Sequence, residues 1–296
     1  MDTQQIAYLG LGMMGREMVL NLADDGVQVV VWNRTREKAD ALVVGKNIRA
    51  AATPQDAVTS GGIAVSCLAD DEAVKAVCSN DFLQALGQGG VHISMSTISP
   101  AGAEKLHERH AAYGVDYIAA PVLGRPDFVK ARMQRFLLSG PAAGCERARP
   151  LLESLGSQVF YLGEEARAAH AAKLAFNYTI ATSITLMSEA FALAEKSGVD
   201  REVMHNLMLE TVYDCPLFQG YGKQIVDDKV DDPLFKLSLG FKDMSLVADL
   251  ARESLVPMPV GLAVYETYQR AMAAGMQNLD WCGVSRIVRR SADEKE

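Results

Sequence analysis

The strongest constraint on the fold lies near the start, where residues 5–32 read QIAYLGLGMMGREMVLNLADDGVQVVVW. A short apolar run ends in glycine, and Gly10, Gly12 and Gly15 stand in G-x-G-x-x-G spacing. A stretch of helical periodicity then closes on Gly26, and a β-branched run begins at Val27. That succession predicts strand, helix, strand. In such a unit the first glycine permits a tight turn, the second lets backbone approach a pyrophosphate, and the third lets the helix pack close to the strand. The helix N-terminus then offers N–H groups and the positive end of its dipole to the phosphates. The spacing alone is a weak signal; in this context it predicts dinucleotide binding.

The alternation continues. Strand-like GIAVSCLA (62–69), GVHISMS (90–96) and VDYIAAPV (115–122) are separated by the helix-like DDEAVKAVC and PAGAEKLHERHAAYG. RMQRFLLSG and SQVFYLG read as two further strands around the helix GCERARPLLESLG. This order implies a mostly parallel, doubly wound sheet with helices on both faces. After Gly163 the strand signals stop. Residues 166–196 are rich in Ala, Leu and Met without proline and end at Gly198, a natural helix stop. A helix of that length, apolar on more than one face, must be covered on several sides, so it is expected to bridge two domains and to touch a second subunit. The remainder reads as helices joined by Pro- or Gly-marked breaks, and the tail RRSADEKE reads as solvated. The expected organisation is an α/β dinucleotide-binding domain over residues 1–162 and an all-α domain over 163–296.

Charge narrows the partners. With 29 Lys+Arg against 37 Asp+Glu the net charge is -8, which repels phosphate backbones and anionic lipid, so neither nucleic acid nor a membrane surface is expected. The apolar stretch between Lys173 and Glu189 is shorter than the roughly 18 residues that a membrane span needs. The N-terminus MDTQQIAYLG carries no basic segment, so no signal peptide is expected. Cys67, Cys78, Cys145, Cys215 and Cys282 are scattered, with no Cys/His cluster at metal-ligand spacing, and the expectation is a reduced cytoplasmic protein without a metal.

The end of the second strand bears on the choice of dinucleotide. An NAD-preferring chain places Asp or Glu there for the ribose hydroxyls, whereas this one reads WNRTREK. Asn33 and Arg34 take that place, and no carboxylate repels a 2′-phosphate. Arg34 can present its planar fork to that group, with Thr35 as a hydroxyl donor and Arg36 or Lys38 adding field. The plainer alternative is a solvated first helical turn with Thr35 as its N-cap. NADP is the expected cofactor.

The stretch AAKLAFNYTI (171–180) sets a lysine among residues built for burial. His170, Lys173 and Asn177 share one helical stripe. An ammonium buried without a task is expensive. Beside a nicotinamide it has one, because negative charge grows on a carbonyl oxygen as hydride arrives, and an ammonium can stabilise that charge and deliver the proton. Asn177 can orient the substrate or the lysine. The alternatives are an ordinary surface lysine or a Schiff-base nucleophile, which the dinucleotide domain makes unnecessary.

Taken together, the motifs resemble those of the β-hydroxyacid dehydrogenase family over nearly the whole chain. IAYLGLGMMGREMVLNL is similar to its N-terminal fingerprint, SMSTISP to its fourth-strand motif and AAPVLGRP to its substrate loop. KLAFN is similar to its catalytic lysine motif, and FKDMSLV to its C-terminal Lys-Asp motif. VWNRT is similar to the NADP-preferring glyoxylate and succinic semialdehyde reductases, and the C-terminal half to the helical domain of 6-phosphogluconate dehydrogenase. The resemblance implies Lys173 as general acid/base with Asn177 beside it. It also implies cofactor contacts from the loop Gly10, Leu11, Gly12, Met13, Met14 and Gly15, and from Leu68, Ala69, Thr97 and Lys242. Ser96, Val122, Leu123, Gly124 and His170 would line the substrate site, and His170 equally suits a hydrogen bond inside the fold. The substrate implied is a small carbonyl or hydroxy acid, and the assembly a homodimer or larger.

One departure stands out. Members that grip a carboxylate read PVSGG where this chain reads PVLGR, so Leu123 replaces a hydroxyl and Arg125 a glycine. Either Arg125 holds an anionic group or the pocket is more apolar. The rival readings are an imine reductase, a sister group that lacks the lysine of KLAFN, and a non-catalytic NADP-binding protein.

Overall fold

The computed structural model describes residues 5–43 and 47–293. Contacts divide the chain into two units, Met1–Lys173 and Leu174–Glu296.

The first unit is built on short, mostly apolar and largely buried runs. β1 (Ile6–Leu9) is wholly buried and leads through the glycine turn into α1 (Met13–Asp24), which closes on Gly26. β2 (Val29–Trp32), the short α2 (Arg36–Asp40) and β3 (Ile48–Ala50) follow. α3 (Pro54–Ala57) starts at a Thr53–Asp56 capping box. β4 (Ile63–Ser66), α4 (Asp71–Val77), α5 (Asn80–Leu86) and β5 (Val91–Ser94) come next, and both strands are buried throughout, as expected of parallel strands covered on both faces. α6 (Pro100–Ala111), capped by Ser99, returns the chain to β6 (Asp116–Ala119). The six strands form one parallel sheet in the order β3-β2-β1-β4-β5-β6. Strand order reverses between β1 and β4, the place where a doubly wound sheet opens a crevice at its carboxyl edge.

The two strands expected beyond residue 130 do not join that sheet. β7 (Val122–Leu123) follows β6 too closely for a parallel crossover, which needs a dozen or more residues, so the chain turns out into a second sheet. After α7 (Pro126–Lys130), β8 (Arg135–Leu138) pairs antiparallel with β7. α8 (Ala142–Leu155) then leads to β9 (Gln158–Tyr161), which pairs parallel with β8.

α9 (Ala166–Lys196) is the long helix that the composition predicts, stopped at Gly198 with φ +85°. The contact division falls inside it, beyond the expected change of character at residue 163. Ala166 and Ala169 belong to the core of the first unit, whereas Leu174, Ile184, Met187 and Phe191 belong to that of the second. α10 (Arg201–Leu209), α11 (Pro216–Val226), α12 (Leu237–Glu253) and α13 (Pro259–Ala273) complete that core around the buried Tyr268 and Trp281. A 3-10 turn (Trp281–Gly283) leads to α14 (Val284–Asp293). Residues 289–293 of the tail continue this helix, with Arg290 and Ala292 exposed; residues 294–296 lie outside the described residues. Arg286 of α14 reaches Asp228 and Asp231, and Arg289 reaches Asp228, which ties the helix down. Among the described residues no helix is long and apolar enough to cross a membrane.

Candidate functional site

Register brings the nucleotide end together. Leu9 pairs with Trp32 on one side and with Ser66 on the other, so Gly10, Asn33 and Cys67 emerge side by side from three strands. They open into a cleft of about 770 Å³ lined by Gly10, Gly12, Arg34, Thr35, Leu68 and Ala69, among others. The glycines divide their duties as the spacing predicts. A Cβ on Gly10, whose φ is +103°, would lie 2.4 Å from the Cys67 carbonyl oxygen, and one on Gly15 would lie 2.1 Å from that of Gly10. A Cβ on Gly12 would meet nothing within 4 Å, so packing within the protein does not require glycine there. Gly12 caps α1 without a side chain, which leaves the N–H groups of Met13, Met14 and Gly15 at the start of the helix for an anion. Leu11 is buried in the turn, while Met13 is exposed.

Asn33 has a task that its sequence position did not disclose. Its Oδ1 accepts the Leu11 N–H at 2.9 Å and its Nδ2 donates to the Thr35 carbonyl, so it fastens the glycine turn to the end of β2. Thr35 is the N-cap of α2, though its side chain makes no capping hydrogen bond, and residues 34–38 are exposed, as the plainer reading of a solvated first turn also has them. Arg36 is held by Asp40, whereas Arg34 lines the cleft and is exposed.

On the far side of β1, Ser96 is buried and its Oγ accepts the Leu68 N–H at 2.8 Å, shaping the Leu68–Ala69 wall of the cleft. Thr97 follows it, half-buried. In the loop after β6, Val122 is buried and Leu123 packs against the cluster that includes Leu137 and Ala169. Gly124 lies so close to Gln134 that a Cβ would come within 2.8 Å of its Cβ. The Arg125 guanidinium pairs with Asp127 at 3.1 Å and stands 5.5 Å from the Phe128 ring centre. His170 is fully buried, with Nε2 3.4 Å from the Tyr117 hydroxyl. Lys173 retains only 7% of its surface, so it is not an ordinary surface lysine.

One turn along α9, Asn177 is buried and its Nδ2 donates to Asp243 Oδ2 at 2.6 Å. A carboxylate only accepts, so the NH2 must face it and the amide oxygen is turned the other way. Asp243 is itself buried and pairs with Lys242 at 2.9 Å, the ammonium remaining partly exposed. Taken alone, the Lys242–Asp243 pair near a helix start reads as a solvated cap, and only the resemblance of FKDMSLV to the family's Lys-Asp motif raised it; the contact of Asp243 with Asn177 was not foreseen. The available signal was its place on the stripe Gly240, Met244 and Val247, which is buried.

A parallel sheet with a phosphate-binding glycine turn at its switch point, followed by a helical unit whose long helix carries a buried lysine and asparagine, defines a nicotinamide-dinucleotide oxidoreductase. Residues 5–163 match the family described as the NAD binding domain of 6-phosphogluconate dehydrogenase. Residues 168–288 match that described as NAD-binding of NADP-dependent 3-hydroxyisobutyrate dehydrogenase. The chain belongs to the β-hydroxyacid dehydrogenase family. It is 35% identical to an uncharacterized oxidoreductase of Bacillus subtilis, over 96% of this chain and 100% of that one. It is 30% identical to glyoxylate/succinic semialdehyde reductase 1 of Arabidopsis thaliana, over 98% of this chain and 100% of that one. The solved structure of Mycobacterium tuberculosis 3-hydroxyisobutyrate dehydrogenase with L-serine superposes with a TM-score of 0.87 at 26% identity, covering 97% of this chain and 99% of that one.

Proposed function

We propose that the protein is an NADP(H)-dependent reductase of small aldehydes or keto acids, working as a homodimer in the cytoplasm, with Lys173 as its general acid. The observation that carries this reading is a lysine 93% withdrawn from solvent, since 7% remains exposed, one helical turn before an asparagine anchored by a buried carboxylate.

The cleft suits the dinucleotide. Gly12 leaves room for the pyrophosphate against the start of α1, and Arg34 and Thr35 offer a charged fork and an uncommitted hydroxyl for a 2′-phosphate. When bound, the cofactor supplies the hydride. Lys173 stabilises the negative charge that grows on the carbonyl oxygen and transfers its proton there, and in the reverse direction the neutral amine takes the hydroxyl proton. Asn177, oriented by Asp243, presents its amide oxygen to the ammonium or the substrate hydroxyl. Leu123 offers no hydroxyl and Arg125 is engaged by Asp127, so a substrate carboxylate relies on the Gly124 N–H.

The test is the initial rate of NADPH oxidation, with NADH beside it, over glyoxylate, succinic semialdehyde, tartronate semialdehyde, an uncharged ketone and a cyclic imine. Activity on a carbonyl compound that falls about 10²–10⁴-fold in Lys173→Ala supports the proposal. Turnover of the imine alone, or an undiminished variant, overturns it.

A further inference from the structure

A second cluster of chemistry lies inside the first unit, apart from the cleft. Cys78 at the end of α4, His92 in the middle of β5 and His110 in the last turn of α6 are each fully buried. Their ligand atoms all lie within 4.8 Å of one another. The spacing along the chain had pointed away from any such group; the parallel sheet and its covering helices assemble it. We propose that Cys78, His92 and His110 form a buried site for one soft monovalent metal ion of the copper(I) or silver(I) class.

The hydrogen bonds around the cluster are those that a metal site requires. His110 Nδ1 lies 2.6 Å from the Leu106 carbonyl, so it carries the proton and leaves Nε2 as a lone pair facing the cluster. His92 Nε2 lies 2.9 Å from the Ser66 hydroxyl, and its Nδ1 faces the cluster, 2.9 Å from His110 Nε2 and 3.7 Å from Cys78 Sγ. A metal-bound histidine characteristically donates its other N–H to a carbonyl or a similar acceptor, and both rings have that outer partner in place. Without metal, His92 Nδ1–H donates to His110 Nε2 and Ser66 donates to His92 Nε2. On binding, the thiol loses its proton to solvent, the His92 proton moves to Nε2 and Ser66 becomes its acceptor. Nothing is oxidised or reduced.

Charge and surroundings choose the ion. Thiolate plus a monovalent ion is neutral, and two neutral imidazoles keep it so. A divalent ion would leave net positive charge in a dry core with no carboxylate among the three donors. The Phe82 and Tyr117 rings meet the His92 ring edge-on, with centroids 5.6 and 5.8 Å away. Thiolate and imidazole are the donors that a soft ion selects. With bonds of about 2.0 Å to nitrogen and about 2.3 Å to sulfur, the sulfur and the first nitrogen already have the separation of a planar trigonal site. The two nitrogens must part by roughly half an ångström. Because the cluster is closed, the ion must enter by local opening, and Cys78 sits in the short link between α4 and α5, two seven-residue helices. Uptake is therefore slow beside reaction at the exposed Cys215.

The experiment titrates the Cys215→Ser protein with copper(I) held by a competing chromophoric chelator, in parallel with Cys78→Ser and His110→Gln made in the same background. One slowly acquired tight equivalent, lost in both variants, is the expected result. Its persistence in either folded variant overturns the proposal. If a variant does not fold, X-ray absorption of the copper(I)-loaded Cys215→Ser protein decides. One sulfur and two nitrogen neighbours support the site, and a sulfur-only shell or the absence of a tight equivalent overturns it.

Discussion

At the scale of single residues, the three glycines of the turn separate folding from binding. Gly12→Ala adds a methyl where nothing lies within 4 Å and φ is -70°, so its melting temperature is expected to match wild type while dinucleotide affinity collapses. Gly10→Ala forces a side chain onto the Cys67 carbonyl at φ +103° and is expected to lower stability as well as binding. Thermal melts with and without NADPH check both, and a destabilised Gly12→Ala would count against a reserved space. Arg34→Ala is expected to weaken NADPH binding about tenfold or more, the worth of a charge-assisted hydrogen bond of roughly 1.5–3 kcal/mol, and to leave NADH binding unchanged. Equal losses for the two cofactors would mean that Arg34 does not read a 2′-phosphate. The shared buried stripe of Lys173 and Asn177 was legible because a 3.6-residue period puts them on one face. Asp243 was not, since its partner lies 66 positions away and only folding brings the amide to it. Asn33 was legible as a missing carboxylate, not as the clasp of the glycine turn.

Among the elements, the strands buried on both faces and the helices with clear caps were legible from pattern alone. The strands of the second sheet were legible as strands but not their sheet, because β7 has two residues and β9 is exposed at three of its four positions, too little apolar signal to say which sheet each would join. The tail RRSADEKE is polar, and over residues 289–293 it nonetheless continues α14, whose Arg286 and Arg289 pair with Asp228. Arg286 holds the Asp231 carboxyl below its ordinary range through a charged hydrogen bond. A carboxylate with a depressed folded pKa stabilises the fold above its unfolded value, near pH ~4, and that contribution is lost as pH falls through the folded value. Arg286→Gln is accordingly expected to melt below wild type at pH 7, and the gap is expected to narrow as the pH approaches 3. Melting curves across that range check it; a gap independent of pH would assign the loss to packing of the arginine stem.

For the molecule as a whole, the two cores answer to two sequence regimes, alternating periods before Gly163 and helical periods after it, which is why the class of each unit could be read in advance. What periodicity does not report is the apolar surface left over. Most of the large hydrophobic side chains that remain exposed among the described residues belong to the second unit, with Leu193 72%, Leu207 55%, Val260 54% and Leu255 87% accessible. Single exposed leucines are ordinary, but a helix that keeps Phe176, Leu186 and Leu193 open while burying its other faces has more apolar surface than one chain can cover. A second copy of the chain, in a twofold contact of like surfaces, is the cover proposed above. Sedimentation is therefore expected to give a dimer that survives dilution to assay concentration. Leu193→Asp, at a position exposed in the single chain, is expected to shift the protein to monomer with the far-UV spectrum unchanged. A wild-type chain that sediments as a monomer, or a variant that stays dimeric, would show that α9 meets its partner on another face or has none.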